Sequence, residues 1–309
     1  MGIIPPMHRL FCVRLAILAC TAMLVTACGG KPPPRIQRRG NPPAPVANRV
    51  QEPARAANIP PTPPPPIAAE SSIVIDVASG RVLYAKNADI PRAVASTQKI
   101  ITALCVIDGG NIDTPVTIAE TDGIVEPTKL GLKAGEVYTR RQLLKVLMIK
   151  SANDVARALA RDVGGDIDSF AAMMNRKSAS LGMRNSHFKN PHGLTLPGQY
   201  STARDMAIAT RYAYRSPMLR SYVCTREFDF VFSNGTSRHI ENTNKVLKIL
   251  PYCNGFKTGT TDASGRCLVA SGALDGRAVI VVVLKSNTPN VWNDATKLLR
   301  WALERPGSI

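Results

Sequence analysis

The sequence has little of what marks a metalloenzyme or a membrane-spanning protein. Only four histidines occur in 309 residues, and none has the H-E-x-x-H spacing of a zinc peptidase. The apolar stretch at residues 15–24 is shorter than the roughly 20 residues that cross a bilayer. A zinc peptidase is therefore disfavoured, no metal or other cofactor is expected, and the apolar stretch is not interpreted as a membrane span.

The first 27 residues instead have the pattern of a signal peptide. Arg9 and Arg14 precede the apolar stretch, and small residues lead to Cys28. A Cys directly after such a cleavage site resembles a lipobox, whose Cys carries the lipid of a lipoprotein. We predict export to the cell envelope, with a lipid anchor at Cys28 that holds the chain on a membrane, facing the periplasm or cell wall. Plain secretion after cleavage at Ala27 is the alternative.

Residues 28–67 have the composition of a tether rather than of a folded domain. Thirteen of the 24 prolines lie between Pro32 and Pro66, and residues 28–67 contain six basic residues and one acid. Such a segment cannot bury a core, and we expect an extended, partly polyproline II chain. At about 3.1 Å per residue it would reach on the order of 100 Å from the membrane. Its charge either contacts anionic lipid or polymer, or only keeps the linker soluble.

Acidic residues are also scarce, since 22 Asp and Glu stand against 39 Lys and Arg, which gives a formal net charge of +17. A strongly basic chain often binds nucleic acid. This sequence has no nucleic-acid-binding motif, however, and its export signal argues against that partner. We therefore expect anionic polymer of the cell envelope, rather than nucleic acid, as the counterpart of the charge.

Residues 68–309 have strand-like patterns at both ends and helical patterns in the middle. The predicted strands are 72–77, 81–85, 227–232, 236–241, 252–260, 266–271 and 277–285, and the predicted helices are 97–107, 140–149, 154–163, 168–181, 203–214 and 292–303. We predict a mixed α/β (α+β) fold, in which an antiparallel sheet drawn from both chain ends carries a mainly helical middle region.

Two segments fit S-x-x-K, a motif in which a lysine one helical turn after a serine can serve as its base. In the first, Ser96 and Lys99 begin an apolar helical run, so the lysine can reach the serine hydroxyl. Lysine acts as a base only if burial or a nearby cation lowers its pKa. The second match, residues 186–189, adjoins Asn190-Pro191 and lacks an apolar helix behind it. We interpret the second match as coincidental.

A polar turn, Ser151-Ala152-Asn153, lies at the break between two predicted helices. Such a turn can project into a cleft, where Ser151 would relay a proton and Asn153 would hold a substrate carbonyl. The alternative is simple capping of the following helix, since Ser and Asn are favoured there.

A third motif, Lys257-Thr258-Gly259-Thr260, lies on a predicted strand. Gly259 would let a substrate backbone approach closely, Lys257 would supply positive charge, and the threonine hydroxyls would bind a carboxylate. The alternative is an exposed edge strand with a solubilising lysine.

Together the three motifs occur in the order found in penicillin-binding proteins and class A β-lactamases. From about Ser71 to Leu303 the chain resembles the D-alanyl-D-alanine carboxypeptidases, which are low-molecular-mass penicillin-binding proteins of peptidase family S11. The resemblance rests on residues 95–100, 151–154, 192–194, 198–206 and 255–262.

The resemblance implies removal of the terminal D-Ala from peptidoglycan stem peptides, with β-lactam antibiotics as inhibitors. Ser96 would be the nucleophile, Lys99 its base, and Ser151 the group that passes a proton to the departing D-Ala. Asn153 would orient the substrate.

The same resemblance assigns the K-T-G strand to substrate binding. Lys257 would stabilise charge, while Thr258 and Thr260 would hold the terminal carboxylate beside Gly259. The backbone N–H groups of Ser96 and Thr260 would form the oxyanion hole.

Two positions depart from the family pattern. Thr243 stands where some members have an arginine near the substrate carboxylate, and Gln98 replaces a frequent threonine without an expected chemical role. A D,D-endopeptidase that cuts crosslinks is chemically similar and remains an alternative. A class A β-lactamase is disfavoured because residues 166–190 contain no E-x-x-L-N pattern. A catalytically silent scaffold is disfavoured by the intact motifs.

Four cysteines remain outside the leader and the predicted anchor. They are Cys105, Cys224, Cys253 and Cys267. One or two disulfides are compatible with an oxidising compartment, and we favour the pair 253 and 267 because their predicted strands are adjacent, although the simplest hairpin register does not place the two residues opposite each other. Free buried thiols are the alternative.

Overall fold

The computed structural model describes residues 62–304. The predicted signal peptide (1–27), the anchor at Cys28 and most of the predicted tether (28–67) lie outside this range, so they stay predictions. Within the range, none of the helices combines the length and the apolarity that a membrane crossing requires.

The last six tether residues are described, and they contact the folded body. Trp301 Nε1 donates a hydrogen bond to the carbonyl oxygen of Thr62 at 2.8 Å. Lys86 Nζ donates to the carbonyl oxygen of Ile67 at 3.2 Å. Both ends of this described tether segment are therefore hydrogen-bonded to the folded body, while the predicted domain boundary at residue 68 stays a prediction.

The strands confirm the predicted sheet from both chain ends. They are β1 (Ser71–Asp76), β2 (Val82–Lys86), β3 (Pro115–Thr117), β4 (Val137–Thr139), β5 (Glu227–Val231), β6 (Ser237–Glu241), β7 (Cys253–Thr261), β8 (Gly265–Leu274) and β9 (Arg277–Ser286). Five of them form one antiparallel sheet in the order β2-β1-β9-β8-β7, while β3 pairs with β4 and β5 with β6. β7, which carries the K-T-G motif, is therefore an edge strand.

The middle of the chain is mainly helical, as predicted. The helices are α1 (Lys99–Asp108), α2 (Arg140–Ile149), α3 (Asn153–Gly164), α4 (Ile167–Leu181), α5 (Ala203–Ala213), α6 (Pro217–Cys224), α7 (Val246–Ile249) and α8 (Asn290–Leu303), with 3-10 turns at Ala95–Gln98 and Glu120–Gly123. Helix α6 was not predicted, although Ser216 caps it and Pro217 occupies its first turn, both common start signals.

The sheet is buried on both faces, which explains the continuous apolar run of β9. Ile280, Val282 and Leu284 pack on the helical middle region, while the alternate residues Val281 and Val283 pack on α8. A strand covered on both faces has no polar face to display. At the edge of this sheet, β7 packs against α6 and the 3-10 turn Ala95–Gln98.

Helix α1 lies inside the helical layer and is apolar on every side. All residues from Lys99 to Val106 are buried. A helix surrounded by other elements needs no polar stripe. The first residue of this buried helix is a lysine, so the fold itself removes that ammonium group from water.

The favoured disulfide is wrong. Cys105, Cys224, Cys253 and Cys267 are all free thiols within the described chain. In the β7–β8 ladder Cys253 lies opposite Gly272, and Cys267 lies opposite Gly259. The two cysteines are therefore separated along the strands, and a disulfide needs Cα atoms within about 7 Å.

Candidate active site

The three sequence motifs meet at one cleft of about 510 Å³. The predicted site residues that line it are Ser96, Ser151, Asn153, Thr258, Gly259 and Thr260. The two predicted lysines, Lys99 and Lys257, are at most 1% exposed and lie behind the cleft wall. The structure thus brings together residues from the start of α1, the α2–α3 turn and β7.

Ser96 lies in the 3-10 turn Ala95–Gln98 that leads into α1, so its place at the start of the helix agrees with the prediction, although the first turn is 3-10 and not α-helical. Ala95 in this turn has a φ of +48°, which residues other than glycine rarely adopt. Two glycines allow neighbouring segments to pack on it. A Cβ atom on Gly193 would lie 2.2 Å from the Ala95 carbonyl oxygen, and one on Gly259 would lie 2.8 Å from the Ser96 nitrogen. The absence of a side chain at Gly259 therefore leaves room for the 3-10 turn Ala95–Gln98, which we call the nucleophile turn. The sequence did not indicate this requirement.

Lys99 is the hydrogen-bonding centre of the site. Its Nζ lies 2.8 Å from Ser96 Oγ, 2.7 Å from Asn153 Oδ1 and 2.6 Å from the carbonyl oxygen of His192. A neutral amine has two N–H groups and one lone pair. Because the amide and carbonyl oxygens can only accept, they take the two N–H groups of the neutral amine, whose lone pair then faces the Ser96 hydroxyl. Ser96 Oγ also lies 3.2 Å from the carbonyl oxygen of His192, to which it donates when the lysine is charged.

Burial keeps Lys99 suited to act as a base. Burial lowers the pKa of Lys99 well below its ordinary value, the charge of Lys257 lowers it further, and Asp154 opposes the shift. The lower its pKa, the larger the fraction of Lys99 that is the neutral amine, the form that can take the proton of a serine hydroxyl. Ser96 and Lys99 thus have the distance and the burial that the predicted nucleophile and base require.

The second S-x-x-K segment lacks this arrangement. Ser186 Oγ lies 2.8 Å from Ser201 Oγ and donates a hydrogen bond to Asp205 Oδ2 at 2.7 Å. Lys189 is exposed, and the segment is not helical. The hydroxyl therefore faces a carboxylate instead of an amine, which agrees with its interpretation as coincidental.

Ser151 lies in the turn between α2 and α3 and lines the cleft. Its φ is +68°, a left-handed conformation that is strained for a residue with a Cβ atom. Ala152, not a polar residue, is the N-cap of α3, and it makes no side-chain cap hydrogen bond. The capping alternative for this motif is therefore wrong, while the proton relay through Ser151 stays a prediction.

Asn153 holds the catalytic lysine against a loop at the rim of the cleft. Its Oδ1 accepts from Lys99, and its Nδ2 donates to the carbonyl oxygens of Glu126 at 3.0 Å and Pro127 at 3.1 Å. Its backbone N–H donates to the carbonyl oxygen of Thr128 at 2.7 Å. These contacts give Asn153 a positioning role, and its predicted contact with substrate stays a prediction.

Asp154 fixes the same loop from the next position of α3. Its carboxylate is 1% exposed and accepts hydrogen bonds from the backbone N–H groups of Leu130 at 2.9 Å and Gly131 at 2.7 Å. A buried carboxylate is stable where backbone donors surround it. Asp154 also supplies the negative charge that acts on Lys99.

The K-T-G strand presents different groups on its two faces. Lys257 is buried, which lowers its pKa to about 7, and its Nζ donates to the carbonyl oxygen of Thr258 at 3.0 Å. Thr258 Oγ1 lies 2.6 Å from Thr243 Oγ1, and Thr260 Oγ1 donates to the carbonyl oxygen of Gly265 at 3.3 Å. β7 is an edge strand, as the alternative interpretation of this motif held. Lys257 is buried, however, so it is not the exposed, solubilising lysine of that interpretation.

Sequence reasoning gave no role to the loop at residues 190–194, although it supplies a partner of the catalytic lysine. Asn190 Oδ1 accepts from the backbone N–H groups of His192 at 3.2 Å and Gly193 at 2.7 Å. This turn aims the His192 carbonyl oxygen at Lys99. The family resemblance includes the His192-Gly193-Leu194 segment but assigns it no role.

Two further side chains of this region are explained by packing. Gln98 Nε2 donates to the carbonyl oxygen of Asn190 at 2.5 Å, so Gln98 ties the nucleophile turn to the loop. Burial, and then the charges of Lys99 and Arg157, lowers the pKa of His192 to about 3. The imidazole is therefore neutral at physiological pH and adds no positive charge beside the base.

Metal binding finds no support in the described part of the chain. Between residues 62 and 304, no group of three or more His, Cys, Asp or Glu side chains is arranged to hold a metal ion.

The fold and the site together define a class of protein. A serine before a buried helix, its lysine one turn later, a serine-containing turn between helices and a K-T-G edge strand form the active site of serine hydrolases that recognise penicillin. Comparison with known proteins narrows the class. The family model described as D-alanyl-D-alanine carboxypeptidase, peptidase S11, matches residues 57–288. The chain belongs to this family.

Individual relatives agree with the family match. The D-alanyl-D-alanine carboxypeptidase DacF of Bacillus subtilis is 34% identical over 77% of this chain and 62% of its own length. A D-alanyl-D-alanine endopeptidase of Pseudomonas aeruginosa is 31% identical over 76% of this chain and 77% of its own length. The crystal structure of a D-alanyl-D-alanine carboxypeptidase from Mycobacterium tuberculosis superimposes with a TM-score of 0.75 at 31% identity, covering 80% of this chain and 95% of that one.

Proposed function

We propose that this protein is a serine-type D,D-carboxypeptidase that removes the terminal D-Ala from peptidoglycan stem peptides and is acylated by β-lactams. The observation that carries the proposal is the 2.8 Å contact between Ser96 Oγ and the buried Lys99 Nζ, beside an edge strand. An edge strand has unpaired N–H and C=O groups, to which an extended peptide can add as a further strand. The family supports the choice of peptide.

Acylation would begin with attack of Ser96 Oγ on the carbonyl carbon of the penultimate D-Ala. Lys99 accepts the hydroxyl proton as the new C–O bond forms. The negative charge that develops on the carbonyl oxygen needs two N–H donors, for which Ser96 and Thr260 are the candidates. The packing of Gly259 on the Ser96 nitrogen supports this assignment, because it holds the two backbone segments together.

Collapse of the tetrahedral intermediate breaks the C–N bond and releases the terminal D-Ala as an amine. That nitrogen must gain a proton, which originates at Lys99 and is passed on by Ser151 in our proposal. Water then attacks the ester on Ser96, the C–O bond to the serine breaks, and the shortened peptide leaves as a carboxylate. A β-lactam would follow the first half of this path and remain bound as a slow ester.

The proposal is tested by incubating the purified protein with a pentapeptide that ends in D-Ala-D-Ala and measuring free D-Ala. We expect release by the wild type and none by Ser96→Ala. Ser186→Ala is the matched control, since it alters the other S-x-x-K serine and should leave release unchanged. No release by the wild type, or equal release by Ser96→Ala, would overturn the proposal.

A D,D-endopeptidase is the second candidate, because relatives with that name align over most of this chain. A crosslinked muropeptide dimer separates the two activities. We expect faster D-Ala release from pentapeptide than cleavage of the dimer, and the reverse order would favour the endopeptidase. Rapid turnover of nitrocefin would instead indicate a β-lactamase.

We also propose that the mature protein is a lipoprotein of the cell envelope, anchored through Cys28 to a membrane. The support is the sequence pattern at the N-terminus, followed by a proline-rich basic segment suited to spacing an enzyme from its membrane. Mass spectrometry of the mature N-terminus tests this proposal. A diacylglyceryl group on Cys28 is expected, while an unmodified N-terminal Cys28 would indicate plain secretion.

A further inference from the structure

The terminal carboxylate of the substrate needs a positive partner, and the lysine of β7 is poorly placed to be the only one. Lys257 lies opposite Val269 in the β7–β8 ladder, on the face that packs against the helical layer. Its Nζ already donates to the carbonyl oxygen of Thr258. Since burial lowers the pKa of Lys257 to about 7, only part of the molecules carry this charge at neutral pH.

The two threonines of the motif lie on the other face of the strand. Thr258 is opposite Leu268, which packs on α8, and Thr260 is opposite Arg266. Residues directly opposite in an antiparallel pair project from the same face, with Cβ atoms about 4.5–5.5 Å apart. Arg266 is therefore a same-face neighbour of Thr260, and it lines the cleft that contains Ser96.

The guanidinium group of Arg266 is available to a ligand. Its side chain is exposed, and between residues 62 and 304 it takes part in no hydrogen bond or ion pair. The one acidic residue that lines the cleft in this range, Glu241, is already paired with Lys248 at 2.9 Å. Thr243, which contacts Thr258, brings a hydroxyl and no charge.

We propose that Arg266 is a specificity-determining residue that binds the C-terminal carboxylate of the peptide substrate, next to the hydroxyls of Thr258 and Thr260. This inference rests on the proposed function, because it names the group that selects the substrate of that same site. A guanidinium donates two parallel N–H groups to a carboxylate, a geometry that an ammonium cannot reproduce. The substrate class is therefore peptides with a free C-terminal carboxylate one residue beyond the cleaved bond.

Two thioester substrates with the same N-acyl-D-alanyl group provide the test. One has thioglycolate as leaving group and so carries the carboxylate, while the other has 2-mercaptoethanol and carries a hydroxyl. Both release a thiol that is measured directly. We expect Arg266→Ala to lower kcat/KM for the thioglycolate substrate roughly 10- to 100-fold, mainly through KM, as for a lost charged hydrogen bond. The hydroxyl substrate should change less than about threefold, within the ordinary effect of a surface substitution.

Matched variants separate this role from a structural one. Arg266→Lys should recover part of the loss, and Arg184→Ala, which removes an exposed arginine outside the cleft, should behave as wild type. An equal loss on both substrates, no loss on either, or a selective loss in Lys245→Ala instead of Arg266→Ala would overturn the inference. If the wild type cleaves neither thioester and releases no D-Ala from pentapeptide, the proposed function is wrong, and the inference fails with it.

Discussion

The cleft has a buried wall, where every polar group is occupied, and an open wall, where the polar groups face solvent. The buried wall consists of Ser96, Lys99, Asn153 and the carbonyl group of His192. Lys99 is fully buried there and has three oxygen atoms within 2.8 Å of its nitrogen. These three contacts fix the Lys99 amine in one position, and its burial excludes water. Both conditions favour proton transfer.

The open wall consists of Thr243, Thr258, Thr260 and Arg266. Three of these side chains are exposed, and Thr258 is half-buried. The three threonine hydroxyls each have at least one protein partner, yet a hydroxyl both donates and accepts, so at a position open to water it keeps capacity for a ligand atom. The Arg266 side chain has no hydrogen-bond partner within residues 62–304. We therefore infer that the buried wall of this site carries out the chemistry and that the open wall recognises the substrate.

The largest effect is expected from loss of the base on the buried wall. Lys99→Met removes the amine that accepts the Ser96 proton, and the acylation rate should fall about 10³-fold, as for a lost general base. The rate is measured with benzylpenicillin or with the thioester substrates. Lys189→Met removes the lysine of the second S-x-x-K segment and should have no effect. A Lys99→Met rate within tenfold of wild type would show that another group is the base.

Packing on the nucleophile turn should give the next largest effect. In Gly193→Ala the new Cβ atom would lie 2.2 Å from the Ala95 carbonyl oxygen, at a φ of +93°. We expect a loss of about 2–4 kcal/mol in unfolding free energy, from overpacking and backbone strain together, and slower acylation. Gly198→Ala is the control, since its φ is +77° but its nearest neighbour is a flexible lysine end at 3.4 Å. Equal losses in the two variants, by chemical denaturation, would contradict the role of Gly193.

The pH dependence of stability should reveal the buried lysine of β7. The pKa of Lys257 is about 7 in the folded chain, and about 10.4 for an unfolded lysine. Between these values the unfolded chain binds more protons, so stability rises with pH and is lost as pH falls toward 7. The slope approaches about 1.4 kcal/mol per pH unit for one such group. Lys257→Met should flatten the curve from pH 7 to 9.5, and an unchanged slope would show that Lys257 is charged when folded.

The smallest effect is expected on the open wall. Thr243→Val removes the hydroxyl that lies 2.6 Å from Thr258 Oγ1, at an exposed position. We expect KM for pentapeptide to rise about 3- to 10-fold, as for loss of one neutral hydrogen bond, with kcat and stability nearly unchanged. A lower kcat at constant KM would place Thr243 in the chemical step and would remove the distinction between the two walls.

Much of the fold followed from local patterns. Helix α2 was predicted at its observed bounds, Arg140–Ile149, from its helical pattern, and in the structure a capping box at Thr139 and Gln142 defines its start. The two-stranded sheet of β3 and β4 was not predicted. Each strand has only three residues, too few to show an alternating apolar pattern. The favoured disulfide was wrong for a reason that the simplest hairpin register already indicated, since the β7–β8 ladder does not place Cys253 opposite Cys267.

The buried wall was predictable where side-chain identity carries the chemistry. Ser96 and Lys99 were found because a helical turn brings residues three apart into contact. The carbonyl oxygen of His192 was not found, because a backbone group has no signature in the residue type. Arg266 was missed for a related reason, since its place beside Thr260 depends on strand register and not on any motif.

The most direct test of Ser96 as the nucleophile is to map the residue that penicillin acylates. Wild type, Ser96→Ala and Ser186→Ala are incubated with benzylpenicillin and analysed by intact mass and peptide mapping. We predict one penicilloyl group on Ser96 in the wild type and in Ser186→Ala, and none in Ser96→Ala. An adduct on any other residue, or no adduct on the folded wild-type protein, would show that Ser96 is not the nucleophile.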